Sequence, residues 1–223
     1  MPTVLLLDVN ETLLDLRAID PHFKRLFGAE QVRQDWFKQF IESAFVTVIT
    51  GNYVPFGQIA MAALEMIANK NNVSLTDDDR KSIRESMVQL PAHPDVRESL
   101  KKLRDAGFRL AALTNSTAQV AEKQLEYSGL RDLLEQALSA DTVRRLKPAP
   151  EPYHMAAKSM GVEISQTRLI AAHAWDIAGA LNAGCKAAFV ARPGKVLDPL
   201  GPQPDIVGKD FREIAEQILS REA

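Results

Sequence analysis

The sequence predicts an α/β protein, a doubly wound parallel sheet with an all-helical segment inserted into it. Three observations predict this class. Short, continuous apolar runs end at polar residues, the pattern of strands buried on both faces. Stretches of helical periodicity separate most of these runs, so that strand and helix alternate. A long tract after the first run is helical in pattern throughout, with no convincing strand inside it.

Val4-Leu5-Leu6-Leu7 is the first strand and stops at Asp8. The tract from about Asp15 to Ala92 follows, with helical periodicity over Gln31 to Thr50, Phe56 to Asn71 and Thr76 to Leu90. Asn52 and Pro55 punctuate its first gap, and Asn71-Asn72 the second, where Thr76 is placed as an N-cap. Val96, Leu100 and Leu103 then share one helical face, and Gly107 is placed to end that helix. A second strand, Leu110-Ala111-Ala112-Leu113, ends at Thr114-Asn115-Ser116. Ser116-Thr117-Ala118-Gln119 reads as a capping box opening a helix that includes Val120 and Leu125. After a helix from Glu151 to Met160, the strand Leu169-Ile170-Ala171-Ala172 ends at His173, and a helix runs from Asp176 to Ala183. Ala187-Ala188-Phe189-Val190 leads into Arg192-Pro193-Gly194, and a last helix covers Glu213 to Leu219. The resulting division is a Rossmann-like α/β core over residues 1–14 and 93–223 and a helical cap over 15–92, the cap serving as a lid over the strand ends.

Composition narrows the function classes. The 223 residues hold 27 Lys and Arg against 29 Asp and Glu, without the basic excess that a nucleic-acid or anionic-membrane binder shows. No apolar run approaches the roughly 18 residues of a membrane span. The start of the chain lacks a basic n-region and a small-residue cleavage site, so a cytoplasmic protein is expected. One cysteine, Cys185, permits neither an internal disulfide nor a cysteine-rich metal cluster.

In a doubly wound sheet, ligands bind beyond the carboxyl ends of the strands. Asp8, Thr114, Asn115, His173 and Asp176 all fall there. A carboxylate directly after a buried strand is able to act as nucleophile, base or metal ligand, although a single Asp in that position also suits a turn.

The segment Asp8-Val9-Asn10-Glu11-Thr12-Leu13-Leu14-Asp15 resembles the first motif of the haloacid dehalogenase superfamily, with Asp8 at the nucleophile position. Thr114 with Asn115, Lys147 in Lys147-Pro148-Ala149-Pro150, and Asp176 in Ala171-Ala172-His173-Ala174-Trp175-Asp176 match the remaining motifs in order. The helical insertion matches that superfamily's cap. Phosphatase members carry Asp-x-Asp, whereas the second acid is here Asn10, an amide unable to donate a proton as an acid or to act as a base. Asp176 is also the single acid of its motif, a poor donor set for Mg²⁺. Ala174-Trp175-Asp176, Tyr153, and Asn52-Tyr53-Val54-Pro55-Phe56 resemble the L-2-haloacid dehalogenase branch.

That resemblance implies a metal-independent, cofactor-free hydrolase. Asp8 would displace the halogen of a small 2-haloacid, and water would release the 2-hydroxy acid from the resulting ester. It implies catalytic roles for Asp8, Thr12, Thr114, Lys147, His173 and Asp176. Val9, Asn10, Asn115, Tyr53, Phe56, Tyr153 and Trp175 are expected to bind substrate, and a homodimer through the cap is expected. Lys147, beside Asp8, is expected to keep it ionised, and an Asp176 near the same lysine is expected to have a lowered pKa. Two departures stand out. Phe37 follows Trp36 where the family has a halide-binding Arg, which leaves Lys38 or Arg17 as replacements; His173 stands where the family has Asn and is a second candidate for activating water beside Asp176. A Mg²⁺-dependent phosphatase of a small metabolite and a non-catalytic binder of small acids are the competing readings.

Overall fold

The computed structural model describes residues 4–222; Met1, Pro2 and Thr3 of the expected core, and Ala223, lie outside the described residues. β1 (Val4–Leu7) is buried along its whole length, as a four-residue apolar run flanked on both sides must be. The chain leaves it through Asp8 and a tight loop, and enters the cap after one 3-10 turn at Leu16–Ile19. The cap consists of α1 (Asp20–Phe27), α2 (Val32–Thr50), α3 (Phe56–Lys70) and α4 (Asp77–Ser86). Where the chain crosses between cap and core it pairs with itself: Asp15 N–H donates to Pro91 O (2.8 Å) and His93 N–H to Leu13 O (2.9 Å).

The core continues with α5 (Val96–Asp105), β2 (Arg109–Thr114), α6 (Ala118–Tyr127), β3 (Gln136–Ser139), α7 (Pro150–Ser159), β4 (Thr167–Ala171), α8 (Ala174–Ala183), β5 (Lys186–Val190), β6 (Ile206–Gly208) and α9 (Phe211–Glu222). The described strands form one parallel sheet in the order β3-β2-β1-β4-β5-β6. Leu7 pairs with Ala112 on one side and Ile170 on the other, so β1 lies where the strand order reverses. A crevice opens at such a reversal, and Asp8 sits at its mouth.

The structure departs from the sequence expectations at four points. The strands β3 and β6 carry no long apolar run; each lies at or near a sheet edge, and β3 has half-buried Gln136 and Ala137. The structure adds a first cap helix, α1, whose eight residues are too few for helical periodicity to show, although Pro21 in its first turn and Gly28 at its end are ordinary helix boundaries. The Ser116–Gln119 capping box does not form: Thr117 is the N-cap and its side chain makes no capping bond, while Ser116 Oγ faces Asn10 Nδ2 at 3.5 Å. The fourth cap helix also stops at Ser86, short of Leu90, whereas its Thr76–Asp79 capping box is complete.

Cap and core meet through aromatic rings. Phe23, Trp36, Phe40 and Phe56 stack in series inside the cap, with centroids 5.2, 5.7 and 4.2 Å apart. Phe37 and Phe45 reach from α2 to His173 and Trp175, at 5.8 and 5.6 Å. On the core side, α8 approaches α7 and the Lys147-Pro148 loop so closely that a Cβ on Gly179 would lie 2.6 Å from Pro148 Cβ and from Tyr153 Oη. Gly179→Ala is therefore expected to destabilise the protein by about 1–3 kcal/mol through overpacking. Urea unfolding followed by circular dichroism tests this, and an unchanged midpoint would show that α8 moves freely away from the loop.

Candidate active site

The loop after β1 turns back on itself, with Leu13 N–H and Leu14 N–H both donating to Val9 O, and Glu11 at φ 63°. This reversal returns Thr12 to Asp8, and its hydroxyl donates to Asp8 Oδ2 at 2.6 Å while accepting from Ala172 N–H at 2.9 Å. Thr12 thereby ties β1 to the end of β4.

Lys147 arrives from the loop before α7. Asn115, at the end of β2, holds that loop: its Oδ1 accepts from Lys147 N–H at 2.8 Å and its Nδ2 donates to Lys147 O at 3.3 Å. The Lys147 ammonium is 1% exposed, and its three hydrogens go to Asp8 Oδ1 (2.9 Å), Leu113 O (2.9 Å) and Asp176 Oδ2 (2.6 Å). Asp176 stands in the first turn of α8, and Tyr153 Oη donates to its other oxygen at 2.5 Å.

Charge and burial oppose each other here. Burial raises the Asp8 pKa, but the Lys147 charge, His173 and the Lys147 and Thr12 hydrogen bonds outweigh it, and the net shift is downward. Asp176 behaves otherwise: complete burial, with the Asp8 charge adding to it, overcomes Lys147 and pushes it up to about 6. The expectation of a lowered Asp176 pKa is thus overturned, because desolvation outweighs the ion pair. Lys147 is held above its ordinary range, as two carboxylates more than offset its own burial. Burial pushes the Tyr153 hydroxyl well up, with Asp176 adding to it, so it stays a donor.

Asp8, Asn10, Thr114, Asn115, Lys147, His173, Trp175 and, from the cap, Phe56 line one small pocket, as the sequence predicts. Phe37 and Ile41 complete it. From sequence Phe37 stands out only as the replacement of an Arg, and Ile41 carries no signal beyond lying one helical turn after Phe37, on the same face. His173 lies between the Phe37 and Trp175 rings (5.8 and 5.2 Å), and burial lowers its pKa, so the imidazole is neutral at pH 7. Glu11 and Lys195, to which the sequence assigns no site role, pair at 2.6 Å beside it, with Glu11 Oε2 3.5 Å from His173 Nε2.

Other expected site residues lie elsewhere. The Tyr53 hydroxyl binds the Asp141 carboxylate and its ring lies under Arg144 (4.9 Å), away from the Asp8 pocket. Tyr153 is fully buried behind Asp176 and supports it rather than facing the pocket. The Val9 side chain packs in the core. Neither proposed Arg replacement reaches Asp8: Arg17 is exposed and chelated by Asp15, and Lys38 borders an open depression beyond Trp175.

The donor set does not fit Mg²⁺. Lys147 bridges Asp8 and Asp176, and Asn10 Oδ1 accepts from Gln124 Nε2 at 3.0 Å. Among the described residues, no group of three or more His, Cys, Asp or Glu side chains is arranged for a metal ion, and no helix is long and apolar enough to cross a membrane.

The family model for haloacid dehalogenase-like hydrolases matches residues 56–190, more than half of the chain. The chain belongs to the haloacid dehalogenase-like hydrolase family. Among relatives of this hydrolase, (S)-2-haloacid dehalogenase 2 of Pseudomonas sp. (strain CBS-3) is 27% identical over 209 residues, 93% of this chain and 91% of that protein. Haloacetate dehalogenase H-2 of Moraxella sp. (strain B) is 26% identical over 200 residues, 89% of each chain. The fold is also that of the L-2-haloacid dehalogenase of Xanthobacter autotrophicus solved with chloropropionic acid covalently bound, with a TM-score of 0.92 over 100% of both chains at 20% identity.

Removing the ammonium from this site has a calculable consequence. Lys147→Met leaves two buried carboxylates uncompensated and is expected to cost about 3–5 kcal/mol at pH 7. Without the cation both carboxylates have folded-state pKa values raised above their unfolded ones, so the deficit relative to the parent chain shrinks as pH falls toward 4. Paired denaturation curves at pH 7 and pH 4.5 check this, and an equal deficit at both would rule out the electrostatic origin.

Proposed function

We propose that this hydrolase cleaves the carbon–halogen bond of 2-haloacids without a metal or other cofactor, through a covalent ester on Asp8. The observation that carries the reading is the buried Asp8–Lys147–Asp176 row, which keeps one carboxylate ionised at the pocket floor and supplies the positive charge from a lysine. The names of the Pseudomonas and Moraxella relatives support it, as does the covalent chloropropionate adduct of the Xanthobacter enzyme.

In this mechanism an Asp8 oxygen attacks C2 of the acid, and the halogen leaves with the bonding pair as configuration inverts. Water then adds to the Asp8 carboxyl carbon, the ester C–O bond on that side breaks, and the carboxylate is regenerated. Thr12 and Lys147 hold both Asp8 oxygens in place for attack. Phe37, Phe56 and Trp175 line the pocket and exclude water from the reacting carbon, where the family resemblance has an Arg. The Asn10 amide, whose Nδ2 makes only a 3.5 Å bond to Ser116 Oγ, is a donor to the departing halide.

His173 is the base that activates the water. It lines the pocket and is neutral at pH 7, whereas both Asp176 oxygens are occupied, by Lys147 and Tyr153, and that residue does not line the pocket. Ester hydrolysis then slows as pH falls through the His173 pKa, below its ordinary 6.5, because protonation removes the acceptor.

Asp8→Asn is expected to abolish halide release from 2-chloropropionate with the fold intact. In single turnover in H₂¹⁸O the label should enter Asp8 before product; label going straight to product would mean that water attacks the substrate directly. With His173→Asn the Asp8 adduct should accumulate in intact-protein mass spectra after substrate is added. Parental turnover without accumulation would remove His173 from the hydrolytic step.

A further inference from the structure

The space at Asp8 is small beside a neighbouring cavity. The Asp8 pocket measures about 20 Å³, and a cavity of about 510 Å³ adjoins it between the cap helices α2, α3 and α4 and the core helix α6. On this measure one water needs roughly 10–15 Å³. The Asp8 pocket thus accommodates a reacting centre and little more.

Asn10 and Phe56 line both spaces, so the two share a wall. The polar side chains nearest that wall are tied to each other: Gln124 Nε2 donates to Asn10 Oδ1 at 3.0 Å, and Asn10 Nδ2 to Ser116 Oγ at 3.5 Å. Most of the remaining lining is apolar, including Trp36, Phe40, Met61, Ile83, Met87 and Val120. A second apolar hollow, formed by Phe37, Ile41, Phe45 and Trp175, also borders the Asp8 pocket but lies open on the surface, where a chain would stay in contact with water. The deeper apolar cleft between cap and core removes more of a hydrocarbon from water, and stabilises it in proportion to that area.

We infer that the larger cavity receives the substituent on C2, and that the preferred substrates are 2-haloacids with a long alkyl or aryl chain rather than haloacetate or 2-halopropionate. The inference rests on the Asp8-ester reading for its chemistry and on the cavity for its specificity. The carboxylate and C2 occupy the polar pocket, and the chain passes the Asn10–Phe56 wall into the apolar one. Each buried methylene is worth roughly three- to fourfold in kcat/KM.

The test is bromide release by the full chain from 2-bromopropionate, 2-bromohexanoate and 2-bromooctanoate, with the parent, Val120→Phe and Ala60→Leu. In the parent, kcat/KM should rise at least tenfold from the three-carbon to the eight-carbon acid, and either variant should reduce that ratio severalfold by filling the cavity. Ala60 is buried and its carbonyl accepts from Trp36, so half-buried Val120 carries the test should Ala60→Leu not fold. Bromide release with no rise along the series, or a rise that survives both variants, overturns the inference while leaving the Asp8 reading intact. If no acid releases bromide, the reading fails, and the cavity is judged by quenching of tryptophan fluorescence, since Trp36 lines it. Octanoate should then bind more tightly than propionate, and less tightly to Val120→Phe; equal binding of the two acids overturns the inference.

Discussion

An ammonium and two carboxylates taken out of water together cost several kcal/mol per ion, which only close pairing and complete hydrogen bonding recover. Lys147 meets both conditions, because each of its three hydrogens has an acceptor within 2.9 Å. Those acceptors come from the ends of β1 and β2 and the start of α8, so the ammonium can be satisfied only when these elements are in register. The rest of the site follows from that requirement. Asn115 clamps the backbone of Lys147, Tyr153 fixes the far side of Asp176, and Gly179 leaves room for α8 to approach.

The same row separates the behaviour of two acids that a sequence treats alike. Asp8 touches the pocket, and the charges and hydrogen bonds around it outweigh its burial, so it stays ionised. Asp176 is 0% exposed and shares its cation with Asp8, so it binds its proton more readily. One lysine cannot fully stabilise two buried anions, and the cost falls on the acid with no access to solvent. The nucleophile's role accordingly suits the carboxylate at the pocket, and a supporting role suits the one behind it.

The cap contributes apolar surface rather than charge. Where the family resemblance calls for an Arg, Phe37 stacks on His173, and the Lys195 ammonium lies over the Phe37 ring, 5.3 Å from its centre. This exchanges a cation for an aromatic wall and a neutral imidazole. Apolar surface beside Asp8 lowers the local polarity, which strengthens the electrostatic interactions of that carboxylate.

The sequence by itself determined the sheet core, the helical insertion and the sheet edge at which the polar side chains gather. Buried parallel strands need uninterrupted apolar runs, and the residues that end such runs must be polar, so Asp8, Thr114, Asn115 and His173 were legible as a group. The short strand β3 and the three-residue β6 were not, because strands this short at the sheet's flanks need no such run. Tertiary structure alone decided which aromatic residues line the Asp8 pocket. Tyr53, Tyr153 and Phe56 all read as pocket residues, yet Tyr53 turns to Asp141 and Tyr153 to the back of Asp176, since each hydroxyl is drawn to a carboxylate far away in sequence. It also decided the protonation of Asp176 and the existence of the cavity beyond Asn10. Both depend on what surrounds a side chain in three dimensions, and burial is a property of packing that a linear pattern of residue types does not encode.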